Sequence, residues 1–204
     1  MVETKPKTAL IVVDLYNDFL HPDGKATGLM AASQKKYNTI EHIRQAMDAA
    51  RAQHIPIFYS FHQQYFEGKY EGFQRWNAML DSIKANPLFV EGSWGAKPYE
   101  GFEPKAGDTV IAKHWNQSSF ANTDLDWLLK QQNITHVVFA GLLANSCLEA
   151  SGRYASELGF NVTMLKDATA GWSIEEMDAA TTYGWTAFAH KILSTEDWVK
   201  SVGA

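Results

Sequence analysis

Cysteine occurs once in the 204 residues, at Cys147. One thiol cannot close an intramolecular disulfide, which excludes a disulfide-stapled scaffold and fits a reducing, cytoplasmic compartment. No apolar run approaches the roughly 18 residues of a membrane-spanning helix. The stretch before Asp14, Thr8 and the five apolar residues Ala9 to Val13, is only six residues long, too short for the core of a secretory signal. No block of Lys and Arg resembles a nucleic-acid footprint; the densest basic pair, Lys35-Lys36, falls inside a helical pattern. The G-x-S-x-G elbow, the Walker loop, the G-x-G-x-x-G turn and the C-x-x-C pair are all missing. Internal repeats, low-complexity tracts and an interdomain linker are missing too. The expectation is a cytoplasmic protein with no membrane, nucleic-acid or nucleotide-cofactor role.

What is present is an ordinary globular composition, 46% hydrophobic and 20% charged, with a net charge of −5. The length suits one domain over residues 1–204, large enough to bury a core without staples. Aromatic residues reach 13%, which suggests apolar walls in addition to a core.

Five short β-branched runs recur along the chain: 8–13, 56–60, 109–112, 136–140 and 161–165, with a weaker sixth at 187–193. Near-continuous apolar runs of this length suit strands covered on both faces. Helical spacing fills the intervals at 37–53, at 122–132 behind an Asn cap, at 147–158 and at 175–185. The alternation predicts an α/β fold, a three-layer doubly wound sandwich around a mainly parallel six-stranded sheet. Residues 63–107, aromatic and punctuated by Gly and Pro, read as a lid or pocket excursion containing a helix.

In open α/β sheets ligands bind beyond the carboxyl ends of the strands. Asp14 ends the first strand, Lys113 ends the third, and the fourth runs through Gly141-Leu142-Leu143-Ala144-Asn145-Ser146 into Cys147, which would open a helix. Each residue has a bland reading: a turn carboxylate, a solvated lysine, a small buried thiol. Their joint placement at one sheet edge predicts a site. A lysine and a helix N-terminus would stabilise a thiolate. Alternatively, an adjacent carboxylate would accept the thiol proton and return it to a leaving amine, with Lys113 holding that carboxylate ionised and oriented.

Three blocks carry a resemblance: Asp14-Leu15-Tyr16-Asn17-Asp18-Phe19, Lys113 to Phe120, and Gly141 to Cys147. In order and spacing they resemble the signature blocks of the isochorismatase-like cysteine hydrolases, a superfamily that includes nicotinamidases, N-carbamoylsarcosine amidohydrolase, biuret hydrolase and ureidoacrylate amidohydrolase. The resemblance spans roughly the whole chain. It implies a catalytic triad of Asp14, Lys113 and Cys147, a cis peptide between Leu142 and Leu143, and an oxyanion hole formed by the Leu143 and Cys147 amides. It also places Phe19 and Phe120 as pocket walls, with Trp76, Trp115 and Asn145 as further pocket candidates.

One departure bears on metals. Nicotinamidases build a metal site on an Asp-x-His motif after the second strand, but here Ser60 stands in the Asp position ahead of His62. One histidine is not a site, so no metal and no cofactor are expected. The function implied is hydrolysis of a linear C–N bond, amide or carbamoyl, in a small molecule through a thioester. Two alternatives are an isochorismatase-type vinyl ether hydrolase using Asp14 without the thiol, and a non-catalytic binding member with a redox-sensitive Cys147. A homo-oligomer, dimer or tetramer, completes the expectation.

Overall fold

The computed structural model describes residues 7–75 and 77–204; Trp76, expected in the pocket, lies outside the described residues. Six strands form one sheet: β1 (Lys7–Val13), β2 (Ile57–Ser60), β3 (Thr109–Val110), β4 (Ile134–Leu142), β5 (Asn161–Ala170) and β6 (Lys191–Leu193). Their order is β3-β2-β1-β4-β5-β6, and every neighbouring pair is parallel. β1 therefore sits centrally, and the strand order reverses direction on its two sides, the point at which open α/β sheets bind ligands beyond the carboxyl edge.

The pleat of β1 sorts the core. Leu10 and Val12 point to one face, where α3 (Thr39–Ala52) packs Ile43, Ala46, Met47 and Ala50, and α8 (Thr195–Val202) adds Trp198. Ala9, Ile11 and Val13 point to the other, against Leu125 and Leu129 of α5 (Leu125–Gln131), Ala155 of α6 (Glu149–Glu157) and Met177 of α7 (Ile174–Ala179). Burial on both faces explains why these strands lack a polar alternation. Among the described residues, the remaining α-helices are α1 (Asn17–Leu20), α2 (Thr27–Tyr37) and α4 (Ala78–Ala85). No helix among them is long and apolar enough to cross a membrane.

Several boundaries differ from the sequence expectation. The helix expected at 37–53 starts at Thr39, because Asn38 turns left-handed at φ 48° and divides α2 from α3. The expected Asn122 cap is not one: Asn122 has φ 59°, α5 begins three residues later, and Asp124 turns its carboxylate to the Ala112 amide at 2.8 Å. β3 is shorter than expected, pairing with β2 only at Thr109 and Val110.

The excursion at 63–107 is anchored from beneath. Asp18 is buried and its Oδ2 accepts from the Phe89 amide at 2.7 Å. Asn17 reaches the Trp94 carbonyl at 3.0 Å, and the Tyr99 amide donates to the Leu15 carbonyl at 2.9 Å. Gly95 passes so close to Asp18 that a Cβ would lie 2.2 Å from Oδ1. Within the excursion, α4 buries Leu80 and Ile83 against Tyr70.

Candidate active site

Asp14 and Cys147 follow the two central strands. Asp14 leaves β1 with φ 54°, a left-handed turn uncommon for a residue with a side chain. Beside it β4 passes Gly141 at φ 114°, where a Cβ would lie 2.2 Å from the Val13 carbonyl oxygen. The peptide between Leu142 and Leu143 is cis. Cys147 then lies in a single π-helical turn, Ala144–Leu148, ahead of α6 rather than at its first residue.

The thiol is 5% exposed and Asp14 is 1% exposed. Burial pushes the Cys147 pKa up, and the Asp14 carboxylate beside it adds to the rise, while the Ser146 hydroxyl and the Leu143 amide pull weakly the other way. The direction is opposite to a thiolate stabilised by a lysine and a helix end: the resting sulfur carries its proton, next to a carboxylate that can take it.

Asp14 Oδ1 accepts the His62 amide at 2.7 Å and faces His114 Nε2 at 3.1 Å. Both histidines are buried, and their rings meet edge-on at 5.1 Å. Lys113 follows β3 at the same edge, half-buried, its carbonyl accepting from Gln63 Nε2 at 3.0 Å. No hydrogen bond or ion pair joins its ammonium to Asp14; the direct orientation expected of Lys113 is made by His62 and His114. Neither histidine was singled out for this from sequence. The signal was available, since His62 follows β2, the neighbour of β1, and His114 follows β3, one strand further out.

Serines complete the surroundings. Ser60 meets Ser119 at 2.7 Å, Ser119 meets Ser151 at 3.0 Å, and Ser151 donates to the Cys147 carbonyl at 2.6 Å. The chain ties β2, the segment after Lys113 and α6 to the cysteine turn. Among the described residues no group of three or more His, Cys, Asp or Glu could hold a metal ion.

The pocket candidates separate. Phe19 is buried in one core face, edge-on to Phe89 at 4.8 Å. Phe120 lies in the opposite face with Cys147, stacked on Tyr154 at 6.0 Å. The two rings thus belong to different core clusters. Trp115 is 40% exposed, with the Lys69 ammonium 5.1 Å from its ring centre. Lys69 also donates to Gln63 Oε1 at 3.1 Å, and its pKa is lowered by partial burial and by the nearby Lys113 charge. Asn145 is exposed and spends its amide on Glu176 at 3.1 Å.

A family model described as "Isochorismatase domain" matches residues 8–197. The ureidoacrylate amidohydrolase of Agrobacterium fabrum is 30% identical over 205 residues, covering 91% of this chain and 89% of that relative. Among solved structures, a cysteine hydrolase from Pseudomonas syringae superposes with a TM-score of 0.79 at 20% identity, over 96% of this chain and 92% of that one. The N-carbamoylsarcosine amidase of Thermoplasma acidophilum superposes with a TM-score of 0.71 at 23% identity, over 93% of this chain and 97% of that one. By sequence match and by fold, the chain belongs to the isochorismatase family, among the isochorismatase-like cysteine hydrolases.

Proposed function

We propose that the protein is an amidohydrolase that cleaves a linear C–N bond in a small ureido or carbamoyl compound, with Asp14, Lys113 and Cys147 as its catalytic residues. The observation that carries this reading is the buried Cys147 thiol beside the Asp14 carboxylate, with its pKa pushed up by burial and by that charge. The substrate class is supported by the ureidoacrylate and N-carbamoylsarcosine chemistry named for the relatives.

Asp14 takes the proton from Sγ as sulfur attacks the substrate carbonyl, forming the S–C bond. The Leu143 and Cys147 amides stabilise the oxyanion, and Lys113 supplies positive charge at the same edge. The C–N bond then breaks, and the nitrogen leaves with the proton held on Asp14. Water attacks the thioester, giving one proton to Asp14, and that proton returns to sulfur as the acid product departs. A thiol with a raised pKa suits this scheme: the nucleophile is made only when the carboxylate and the carbonyl are both in place.

The proposal extends to one domain over residues 1–204 with 63–107 as a lid, and to a cytoplasmic homo-oligomer, dimer or tetramer. Leu29, Trp127 and Tyr183, each more than three-fifths exposed, are the apolar side chains such an assembly would cover.

Cys147→Ala and Asp14→Asn are expected to lower ammonia release from ureido and carbamoyl substrates at least ~10³-fold while leaving the circular dichroism spectrum unchanged. Substantial turnover in folded Cys147→Ala would transfer the chemistry to Asp14 alone and overturn the thioester.

A further inference from the structure

We propose that His114 is a positioning residue that carries protons on both ring nitrogens in the folded protein, and that this buried imidazolium holds Asp14 in place for its exchange of protons with Cys147. The catalytic part rests on the function proposed above; the charge state of His114 does not.

The argument is a count of donors and acceptors. Nε2 of His114 faces Asp14 Oδ1 at 3.1 Å, and Nδ1 faces the Asn116 carbonyl oxygen at 2.5 Å. A carbonyl oxygen only accepts, and so does an ionised carboxylate. A neutral imidazole has one N–H, so one of the two contacts would set lone pair against lone pair on a side chain with 0% exposure. A second proton on the ring satisfies both contacts. That proton could sit on Asp14 Oδ1 instead, but Oδ1 already accepts the His62 amide at 2.7 Å, a bond that a hydroxyl oxygen of a protonated carboxyl makes poorly. Burial opposes the charge, yet the Asp14 carboxylate and the Asn116 carbonyl outweigh it, and the His114 pKa is raised.

The neighbouring histidine takes the opposite state. His62 Nδ1 faces the Gln63 carbonyl at 2.8 Å, so its one proton belongs there, and Nε2 is buried without a partner. Its pKa is lowered to about 4, by burial first and by the His114 charge second. The groups around His114 are therefore Asp14 after β1, neutral His62 after β2, Lys113 next in the chain with Lys69 beyond it, and the Cys147 thiol across Asp14. Asp14 is the one anion of this group.

A fixed cation on Oδ1 has a chemical consequence. It pairs with the negative charge that returns to Asp14 as the carboxyl hands its proton to the departing nitrogen. Glutamine at position 114 would keep a donor near Oδ1 without the charge.

The test reads the charge directly, by nitrogen NMR of protein labelled in its histidines, at pH 8. One imidazole is expected to show both nitrogens protonated, and this signal should be missing from His114→Gln. In Asp14→Asn the same signal should become singly protonated at pH 8, which keeps the test alive if His114→Gln fails to fold. No doubly protonated ring at pH 8 in the unaltered protein, or one that persists in His114→Gln, overturns the proposal whatever the enzyme hydrolyses. The kinetic arm then reads the positioning role: His114→Gln should lose ~10-fold or more in kcat with little change in KM. The acid limb of its kcat/KM profile should also move to higher pH. An unmoved acid limb would reduce His114 to a structural residue.

Discussion

The carboxyl edge of β1 and β4 and the excursion at 63–107 belong to one small domain, yet they are held by opposite means. At the edge the backbone itself is the constraint. β1 and β4 are in register from Thr8 to Val13, and Gly141 approaches Val13 more closely than any side chain allows. Asp14, Cys147, His62 and His114 are all buried there. The excursion is held at a few points by side chains from outside it, chiefly Asn17 and Asp18, and it leaves Phe66, Phe73 and Trp94 more than two-fifths exposed. Rigid backbone positions the buried groups at the edge, whereas the excursion is attached at points.

The sharpest way to break the comparison is Gly141→Ala. A Cβ placed 2.2 Å from the Val13 oxygen at φ 114° forces the two central strands apart. The loss expected is more than ~4 kcal/mol, enough to leave little folded protein, and urea unfolding measures it. A near-native transition midpoint would show that the edge is softer than its geometry.

Protons act on the same edge. The folded pKa of His62, about 4, lies below the usual unfolded value near 6.5. Its contribution is complete above pH 6.5 and is lost as pH falls toward 4, amounting to about 3 kcal/mol. His114, with its pKa raised, acts with the other sign: its contribution is complete below the unfolded value and fades as pH rises through the folded one. Unfolding free energies of the parent and His62→Gln between pH 4 and 7 should therefore converge as the pH drops. Parallel curves would remove His62 from the acid sensitivity.

The smallest effect belongs to the excursion. Asp18→Asn replaces an acceptor that serves the Phe89 and Lys25 amides with a group that can serve only one of them. The expected cost is ~2 kcal/mol, accompanied by faster proteolysis within 63–107 and no change in proteolysis elsewhere. Uniform acceleration would instead tie the excursion to the stability of the whole domain.

The strands could be read from the chain because burial on both faces writes itself as unbroken β-branched runs. β5 was cut short in that reading, since Lys166 and Asp167 interrupt the run. In the fold, a register shift between Phe139 and Gly141 carries pairing past them to Ala170, and Asp167 turns to hold the Thr195 amide at 2.8 Å. α2 escaped because it buries little besides Thr27, Met30 and Ser33. Asp14, Lys113 and Cys147 were found by asking which polar residues end strands. The same question reaches His62 and His114, but their tautomers depend on carbonyls at Gln63 and Asn116 that no spacing rule positions. Phe19 and Phe120 were named as pocket walls by resemblance alone, and that resemblance does not say which core cluster each ring joins.

The run of serines from Ser60 to the Cys147 carbonyl has a direction. Each hydroxyl owns a single proton, and the carbonyl at the end can only receive one. With the Ser151 proton on the Cys147 carbonyl, the contact between Ser151 and Ser119 needs the Ser119 proton and the contact between Ser119 and Ser60 needs the Ser60 proton, all in the same sense. The three dipoles are aligned head to tail by one terminal acceptor, and turning any of them round would strand a proton or a lone pair in a dry interior. The cysteine turn thereby sets a polarity that is felt as far away as the end of β2.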